Sequence, residues 1–518
     1  MTIFAEANET FNQAQFLVDR HLIEGKGGNT ASYYKNESIS YSHLAEMVNR
    51  TGNVFKTLGV EIENRIAIIL PDCPELLYAY LGAIKIGAIP VPLNTIALTQ
   101  DYLHFLNNSR AKVLVLTPDV LPKIETIKNE LIYLNHIVLI GQAAKSTLSF
   151  NKLLNDAPKT LEAARTSRDD MAFWMYTSGT TGYPKGVVHL QHDILFNLPT
   201  FCEEILKITE KDIVFSSSKI FFSYGRNNSL EIPLSYGASA VLYPEWPVPR
   251  KIIQVVEKYR PTLFFSVPTF YQAILKELED GPAADFSSVR MCISAGEALP
   301  QSIYNRWQNK FGIQIIDAVG STDVGANYLS NYPDDCKPNC SGKLINGFEG
   351  VLRDEEGNQV SSGKVGTLWL KNDGIAQCYW NHHDRSKQVF QGEWFNTGDR
   401  FYRDNDGYYY FQGREDDMLK ISGQWVSPLE IERVLLEHPA VRDCGVIGMS
   451  DATGLIKVKA FVLLNDEYTA VNDIDKSLIE FVRNKAAHFK TPRWIQFVKE
   501  LPRTSTGKLQ RYKLRQNI

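Results

Sequence analysis

The sequence predicts an α/β protein: a large layered α/β N-terminal domain followed by a small α+β C-terminal domain. Three observations carry this. The 518 residues are too many for one hydrophobic core. From Arg65 onward, short apolar runs alternate with segments of helical apolar spacing, as expected of layered units around a largely parallel sheet. That texture stops near residue 400, where the tyrosine-rich Phe401–Gln412 gives way to a charged break, Gly413-Arg414-Glu415-Asp416-Asp417. The break sets the expected domains as 1–415 and 416–518.

In order, Arg65–Leu70 reads as a strand, Glu75–Ile86 as a helix entered through Pro74, and Ala88–Val91 as a strand. A helix at Asp101–Ser109 and a strand at Val113–Leu116 continue the pattern. It resumes with strands at Ala172–Met175, Pro261–Ser266, Met291–Ser294 and Ile313–Val319, and helices at Ile252–Tyr259 and from about Pro300. Beyond the break, Ser427-Pro428-Leu429-Glu430 has the cap hydroxyl, first-turn proline and third-position glutamate of a capping box, opening a helix through Leu436. Strands at Cys444–Gly448, Val458–Leu464 and Trp494–Val498, with a helix at Ile474–Ala487, complete the small domain.

Composition excludes several classes. A net charge of −4 leaves no electrostatic footprint for nucleic acid or an anionic membrane. Met1-Thr2-Ile3-Phe4-Ala5-Glu6 lacks the basic start of a signal peptide, and no apolar run approaches the ~20 residues of a membrane span, so a cytoplasmic protein is expected. Of seven cysteines only Cys336 and Cys340 lie close, and no second pair completes a zinc site; reduced thiols are the simpler reading.

Tyr176-Thr177-Ser178-Gly179-Thr180-Thr181-Gly182-Tyr183-Pro184-Lys185-Gly186 follows the strand at Ala172–Met175. Its glycines free backbone N–H groups to face an anion, its hydroxyls add donors, and Lys185 adds a mobile charge. A plain flexible loop has the same composition, and the order differs from the phosphate loop ending in Gly-Lys-Ser/Thr. Five more stretches have chemical potential, each with a plainer alternative. Phe221-Phe222-Ser223-Tyr224-Gly225 is an aromatic turn that a core would also hold. The small residues of Ala295-Gly296-Glu297-Ala298 admit a flat base, or simply make a turn. In Gly320-Ser321-Thr322-Asp323 a hydroxyl beside a carboxylate suits hydrated Mg²⁺, or caps a helix. Asp399 in Thr397-Gly398-Asp399 suits the two hydroxyls of a ribose, or belongs to a turn. Lys508 in Arg503-Thr504-Ser505-Thr506-Gly507-Lys508 is a reactive charge, or part of a solvated tail.

Together and in this order, the six stretches resemble the acyl-adenylate-forming superfamily. Gln391-Gly392-Glu393-Trp394, Asp417–Pro428 and Thr491-Pro492-Arg493-Trp494 look most like its benzoate-CoA ligase family. The resemblance implies an AMP-forming acid:CoA ligase that uses ATP, Mg²⁺ and coenzyme A. Thr177, Ser178, Gly179, Thr180, Thr181, Gly182 and Lys185 would cradle phosphates, with Mg²⁺ near Asp323. Gly296, Glu297, Ala298, Asp317, Ser321 and Thr322 would surround the nucleotide, and Asp399 and Arg414 its ribose and phosphate. Lys508 would bridge the acid carboxylate and the α-phosphate, with Thr177 and Asp323 beside it in catalysis. A mobile C-terminal domain would then rotate about Asp416, bringing Lys420, Ser422, Gly423 and Trp425 to a thiol tunnel. The family's Thr-Glu is Thr322-Asp323 here, which shortens the carboxylate arm by one methylene and keeps an oxygen ligand.

The same resemblance implies an acid pocket of Ser223, Tyr224, Gly225, Ala295 and Gly320. Ile232, Ala326 and Asn327 stand where the family has a phenylalanine, a histidine and an isoleucine. Two of these changes open space and one adds an amide, pointing to an acid larger than benzoate with a hydrogen-bonding substituent; Arg226 and Asn227 add polarity nearby or face solvent. The alternative acceptor is the phosphopantetheine of a carrier protein, and a homodimer is left open. A binder without catalysis is disfavoured by Lys508, Asp399 and Lys185.

Overall fold

A computed structural model describes residues 9–144, 146–177, 184–337, 339–421, 424–451, 455–468, 473–486, 490–503 and 509–516. The chain divides into two compact units, one of Met1–Glu349 with Lys371–Phe395, the other of Gly350–Leu370 with Asn396–Ile518. This differs from a single cut at 415/416. Strand pairing is the reason: Trp394–Arg403 pairs with Tyr409–Arg414 and lies beside Gly366–Lys371, so sequence-distant residues share one sheet.

The larger unit holds a nine-stranded sheet in the order Lys343–Leu344, Asn327–Ser330, Ile315–Gly320, Met291–Ser294, Leu263–Ser266, Ile213–Ser216, Ser239–Leu242, Thr30–Tyr34 and Glu37–Ser40. Its central strands are parallel, as the strand–helix alternation requires. Helices Pro249–Tyr259, Pro268–Asp280 and Gln301–Phe311 cover it, with Val256, Ile274 and Trp307 in their shared core. A second sheet of Ile89–Pro92, Arg65–Ile69, Val113–Leu116, His136–Leu139 and Leu148–Ser149 is wholly parallel. Met171–Thr177 and Lys185–Leu190 form an antiparallel pair with Cys378–Tyr379.

In the smaller unit, Val441–Ser450 and Ile456–Leu464 pair antiparallel, and Trp494–Phe497 adds in parallel. Helices Pro428–Leu436 and Ile474–Lys485 pack on them through Ile431, Leu435, Leu478 and Val482. The helix at Pro428 begins where expected, but the capping box does not form. The Ser427 hydroxyl donates to the Gln412 carbonyl instead, and Glu430 pairs with Lys490 at 2.5 Å. All seven cysteines are free thiols. Among the described residues no helix is long and apolar enough to cross a membrane.

Candidate active site

Three of the expected stretches follow the carboxyl ends of strands in one run of four parallel neighbours, the edge where open α/β sheets bind ligands. Ile213–Ser216 leads to Phe221–Gly225, Met291–Ser294 to Ala295–Ala298, and Ile315–Gly320 to Ser321–Asp323. Ala295 and Asp317 are buried, Glu297 is half-buried, and Gly296 and Ala298 are exposed. Ser321–Asp323 is a tight turn and not a helix start. Val324 N–H donates to Ser321 Oγ at 3.2 Å and Gly325 N–H to the Ser321 carbonyl at 3.0 Å.

Thr177 and Lys185 face each other across the neck of the Gly/Thr loop as a cross-strand pair. Ser178, Gly179, Thr180, Thr181 and Gly182 lie outside the described residues. Lys185 Nζ sits 3.9 Å over the ring of Tyr379, whose hydroxyl donates to Asp323 Oδ1 at 2.5 Å. A cation–π contact and a charge-assisted hydrogen bond thus join two expected site residues through a third. Sequence reasoning missed Tyr379; the Tyr379-Trp380 pair in a polar stretch was the only signal. The donor chemistry here suits Mg²⁺. Asp323 contributes hard carboxylate oxygen. Mg²⁺ is typically held by one or two carboxylates, with phosphates and water completing its shell.

The aromatic turn expected on the acid side leads into the helical turn Ser223–Arg226. Ser223 and Tyr224 are half-buried, and the Tyr224 hydroxyl lies 3.2 Å from the Ile293 carbonyl and 3.4 Å from that of Ser266. Burial pushes this phenol well up, so it stays a neutral donor. Gly225 answers to the chain's own backbone: a Cβ there would sit 2.0 Å from the Lys219 carbonyl oxygen. Gly320 pairs with Asn327 in the ladder, and a Cβ on Gly320 would lie 2.6 Å from the Ala326 carbonyl and 2.7 Å from Asn327 Oδ1. The expected wall residues Ala326 and Asn327 are therefore both buried against Gly320. Ile232, also buried, opens the helix Ile232–Tyr236. Arg226 and Asn227 do not face solvent; they are 1% and 3% exposed.

Long-range contacts invisible to the motif search hold the turn between Gly320 and Asn327. The Thr322 carbonyl accepts from His189 Nε2 at 2.8 Å, and that of Asp323 from Ala376 N–H at 2.9 Å. The Val324 carbonyl accepts from Asn197 Nδ2 at 2.7 Å, and that of Gly325 from Arg226 Nη2 at 3.2 Å. Four consecutive carbonyls are thus fixed by side chains or backbone from elsewhere in the unit. His189 Nδ1 lies 2.8 Å from Asp193 Oδ2 in full burial. Burial, then the Arg226 charge, lowers His189 to about 4, and burial raises Asp193. Burial thus drives both groups toward their uncharged forms, and the His189 Nε2–H donates to the Thr322 carbonyl.

In the smaller unit Asp399 lies within the strand Trp394–Arg403, not in a turn. Arg414, its register partner, donates to Asp399 Oδ1 at 2.9 Å and to the Thr397 carbonyl at 3.1 Å. Asp416 falls in the single helical turn Glu415–Asp417, and Lys420 and Trp425 are backbone partners in the hairpin Leu419–Ile421/Gln424–Val426. Ser422, Gly423 and Lys508 lie outside the described residues.

Residues 19–380 match the model of the AMP-binding enzyme family, and residues 430–508 that of the AMP-binding enzyme C-terminal domain. A benzoate–CoA ligase from Thauera aromatica is 40% identical, over 98% of this chain and 96% of its own. A 4-hydroxybenzoate–CoA/benzoate–CoA ligase from Rhodopseudomonas palustris is 39% identical, over 98% and 94%. Among solved structures, the anthranilate CoA ligase AuaEII in complex with anthranoyl-AMP superposes with a TM-score of 0.93 at 38% identity, covering 99% of this chain and 98% of that one.

Proposed function

This chain belongs to the AMP-binding enzymes and, within them, to the benzoate-CoA ligase family, so its activity is ATP-dependent activation of an aromatic carboxylic acid with transfer to CoA; from that premise we propose that the acid carries a hydrogen-bonding ring substituent. One observation carries the proposal. In the wall we assign to Gly320, Ala326 and Asn327, two positions are small and the third carries a buried amide, 4% exposed. A buried amide facing an unsubstituted ring loses about 1–3 kcal/mol relative to one that finds a partner. The resemblance to a ligase solved with anthranoyl-AMP supports the same direction, and a relative named for both 4-hydroxybenzoate and benzoate is compatible with it.

In the first step the acid carboxylate attacks the α-phosphorus of ATP, the bond to the bridging oxygen breaks, and pyrophosphate leaves. A carboxylate is a weak nucleophile toward a polyanion, so positioning and charge neutralisation provide the catalysis. We assign the β- and γ-phosphates to Thr177–Gly182 and Lys185, the ribose to Asp399 and Arg414, and the bridge between carboxylate and α-phosphate to Lys508. Asp323 would hold Mg²⁺, which supplies further charge neutralisation, and Tyr379 orients the Asp323 carboxylate. In the second step the CoA thiolate attacks the acyl carbonyl and AMP leaves with the bonding pair. Asp416 as pivot and the segment Lys420–Gly423 with Trp425 as thiol passage complete the assignment, with functional domains 1–415 and 416–518.

The test is kcat/KM for benzoate against hydroxy- and aminobenzoates, in wild type and in Ala326→His/Asn327→Ile. The wild type should favour a substituted acid by roughly ten-fold or more, and the double variant should shift toward benzoate. Benzoate as the best wild-type substrate would sink the substituent reading.

A further inference from the structure

We propose that Arg226, held by Glu231, is a positioning residue that sets the acid-side wall of the site; as a specificity device it rests on the substituent reading above. Arg226 follows directly on Tyr224-Gly225 in the same helical turn. Its Nη1 donates to Glu231 Oε1, its Nη2 donates to the Gly325 carbonyl at 3.2 Å, and its guanidinium lies 4.0 Å over the Phe173 ring. Asn227 Nδ2 lies 3.3 Å from Glu231 Oε2 and 3.4 Å from the same Gly325 carbonyl. Gly325 directly precedes Ala326 and Asn327. A buried polar bridge therefore runs from the segment bearing Tyr224 to the residue that fixes where the wall begins.

The choice of an ion pair for this task is informative. Arg226 is 1% and Glu231 3% exposed, and apolar residues of similar volume stabilise such a position as well or better. Stability alone gives no reason for the pair. A planar guanidinium offers what an apolar side chain lacks, a fork that holds a carboxylate and a carbonyl in one fixed geometry. The carbonyls of Thr322, Asp323 and Val324 are held from other segments, by His189, Ala376 and Asn197. The Gly325 clamp differs in coming from the turn that carries Tyr224. Displacing it should move the acid wall while the Asp323 end stays fixed.

The experiment compares wild type with Arg226→Met/Glu231→Leu, which removes both charges at similar volume, and with Arg226→Lys, which keeps the charge without the fork. Pyrophosphate exchange gives KM for acid and for ATP separately, calorimetric titration gives acid binding directly, and thermal unfolding reports the fold. The double variant should unfold within a few degrees of wild type. Its acid KM and Kd should rise roughly ten-fold and its preference among acids should flatten, with ATP KM within about two-fold. Arg226→Lys should fall between the two. Unchanged acid affinity and preference in a folded variant would overturn the proposal, as would equal rises in acid and ATP KM, which mark a general structural role. Should the double variant fail to fold, Arg226→Lys decides by the same criteria. If wild type prefers benzoate, the substituent reading fails, while the acid KM shift measured with benzoate still decides the positioning role.

Discussion

The turn between Gly320 and Asn327 and the Asp399–Arg414 pair are two ways of holding functional groups. In the turn, consecutive carbonyls are fixed by donors that include His189 and Asn197, 0% and 5% exposed, so its geometry is built in before any ligand arrives. In the pair, the Arg414 side chain is 46% exposed against 11% for Asp399, and solvent competes for the contact. Burial makes the first expensive to perturb and insensitive to salt; exposure of the Arg414 guanidinium leaves its end of the second open to solvent and to screening by salt. The turn is thus preorganised, and the arginine of the pair is adjustable.

The largest expected effect is at Lys508. Lys508→Ala should lower pyrophosphate exchange by about 10²–10³ or more, since a full charge is lost from the adenylation transition state. Turnover of a supplied acyl-adenylate with CoA should survive. A near-wild-type exchange rate would remove the assigned role. A smaller loss is expected from Asp399→Ala, which should raise ATP KM roughly ten-fold with acid KM unmoved and stability changed by only about 1 kcal/mol, as suits an ion pair whose arginine is solvent-exposed. A large fall in melting temperature would show that the pair is structural and end the contrast with the buried turn.

Much of the scaffold was legible because its signals are local. The strand expected at Arg65–Leu70 is Arg65–Ile69, and the helix expected at Ile474–Ala487 is Ile474–Lys485, both read from apolar spacing within the element itself. Of the candidate site, Gly320, Ala326, Asn327, Thr177 and Lys185 were singled out only through likeness to a family; that Gly320 pairs with Asn327 and Thr177 with Lys185 across their ladders was not anticipated. The contacts holding them were not legible. His189 lies 133 residues from the carbonyl it clamps and Asn197 lies 127, and no periodicity links such positions. Arg226 and Asn227 look like surface residues by composition; only tertiary packing shows them buried. The same limit explains the domain partition, where strands from residues 350–370 join those after 396.

The buried clamp should also respond to pH. His189, lowered to about 4 by burial and the Arg226 charge, is neutral in the fold where the unfolded histidine, at about 6.5, is still protonated. Between those values the unfolded state binds the extra proton at this histidine, so His189 makes stability rise with pH. Burial raises Asp193, so the folded state holds that carboxyl proton longer than the unfolded carboxylate does and opposes the rise. Asp193→Asn, which keeps a donor toward His189, removes the opposition, and the rise in stability between about pH 4.5 and 6.5 in urea unfolding should be steeper than in wild type. An unchanged slope would mean that Asp193 titrates alike in the folded and unfolded states. His189→Ala should cost about 1–3 kcal/mol by leaving the Thr322 carbonyl and Asp193 without their partner.

The smallest effect separates two roles for Glu430. A capping box predicts that Glu430→Ala destabilises the helix Pro428–Leu436, while Glu430→Gln, which can still reach back to the N-cap N–H, is nearly neutral. The observed arrangement predicts otherwise. Ser427 spends its hydroxyl on the Gln412 carbonyl, and Glu430 faces Lys490, with side chains 43% and 18% exposed. Removing the negative charge by either substitution should therefore cost the same small amount, under ~0.5 kcal/mol, and the cost should vanish in high salt. Ser427→Ala should cost more than either, about 1 kcal/mol, because a partly buried hydrogen bond is lost and not only a screened ion pair. Urea unfolding of the four proteins at low and high salt decides the matter. A salt-independent loss in Glu430→Ala that Glu430→Gln does not share would restore the capping box.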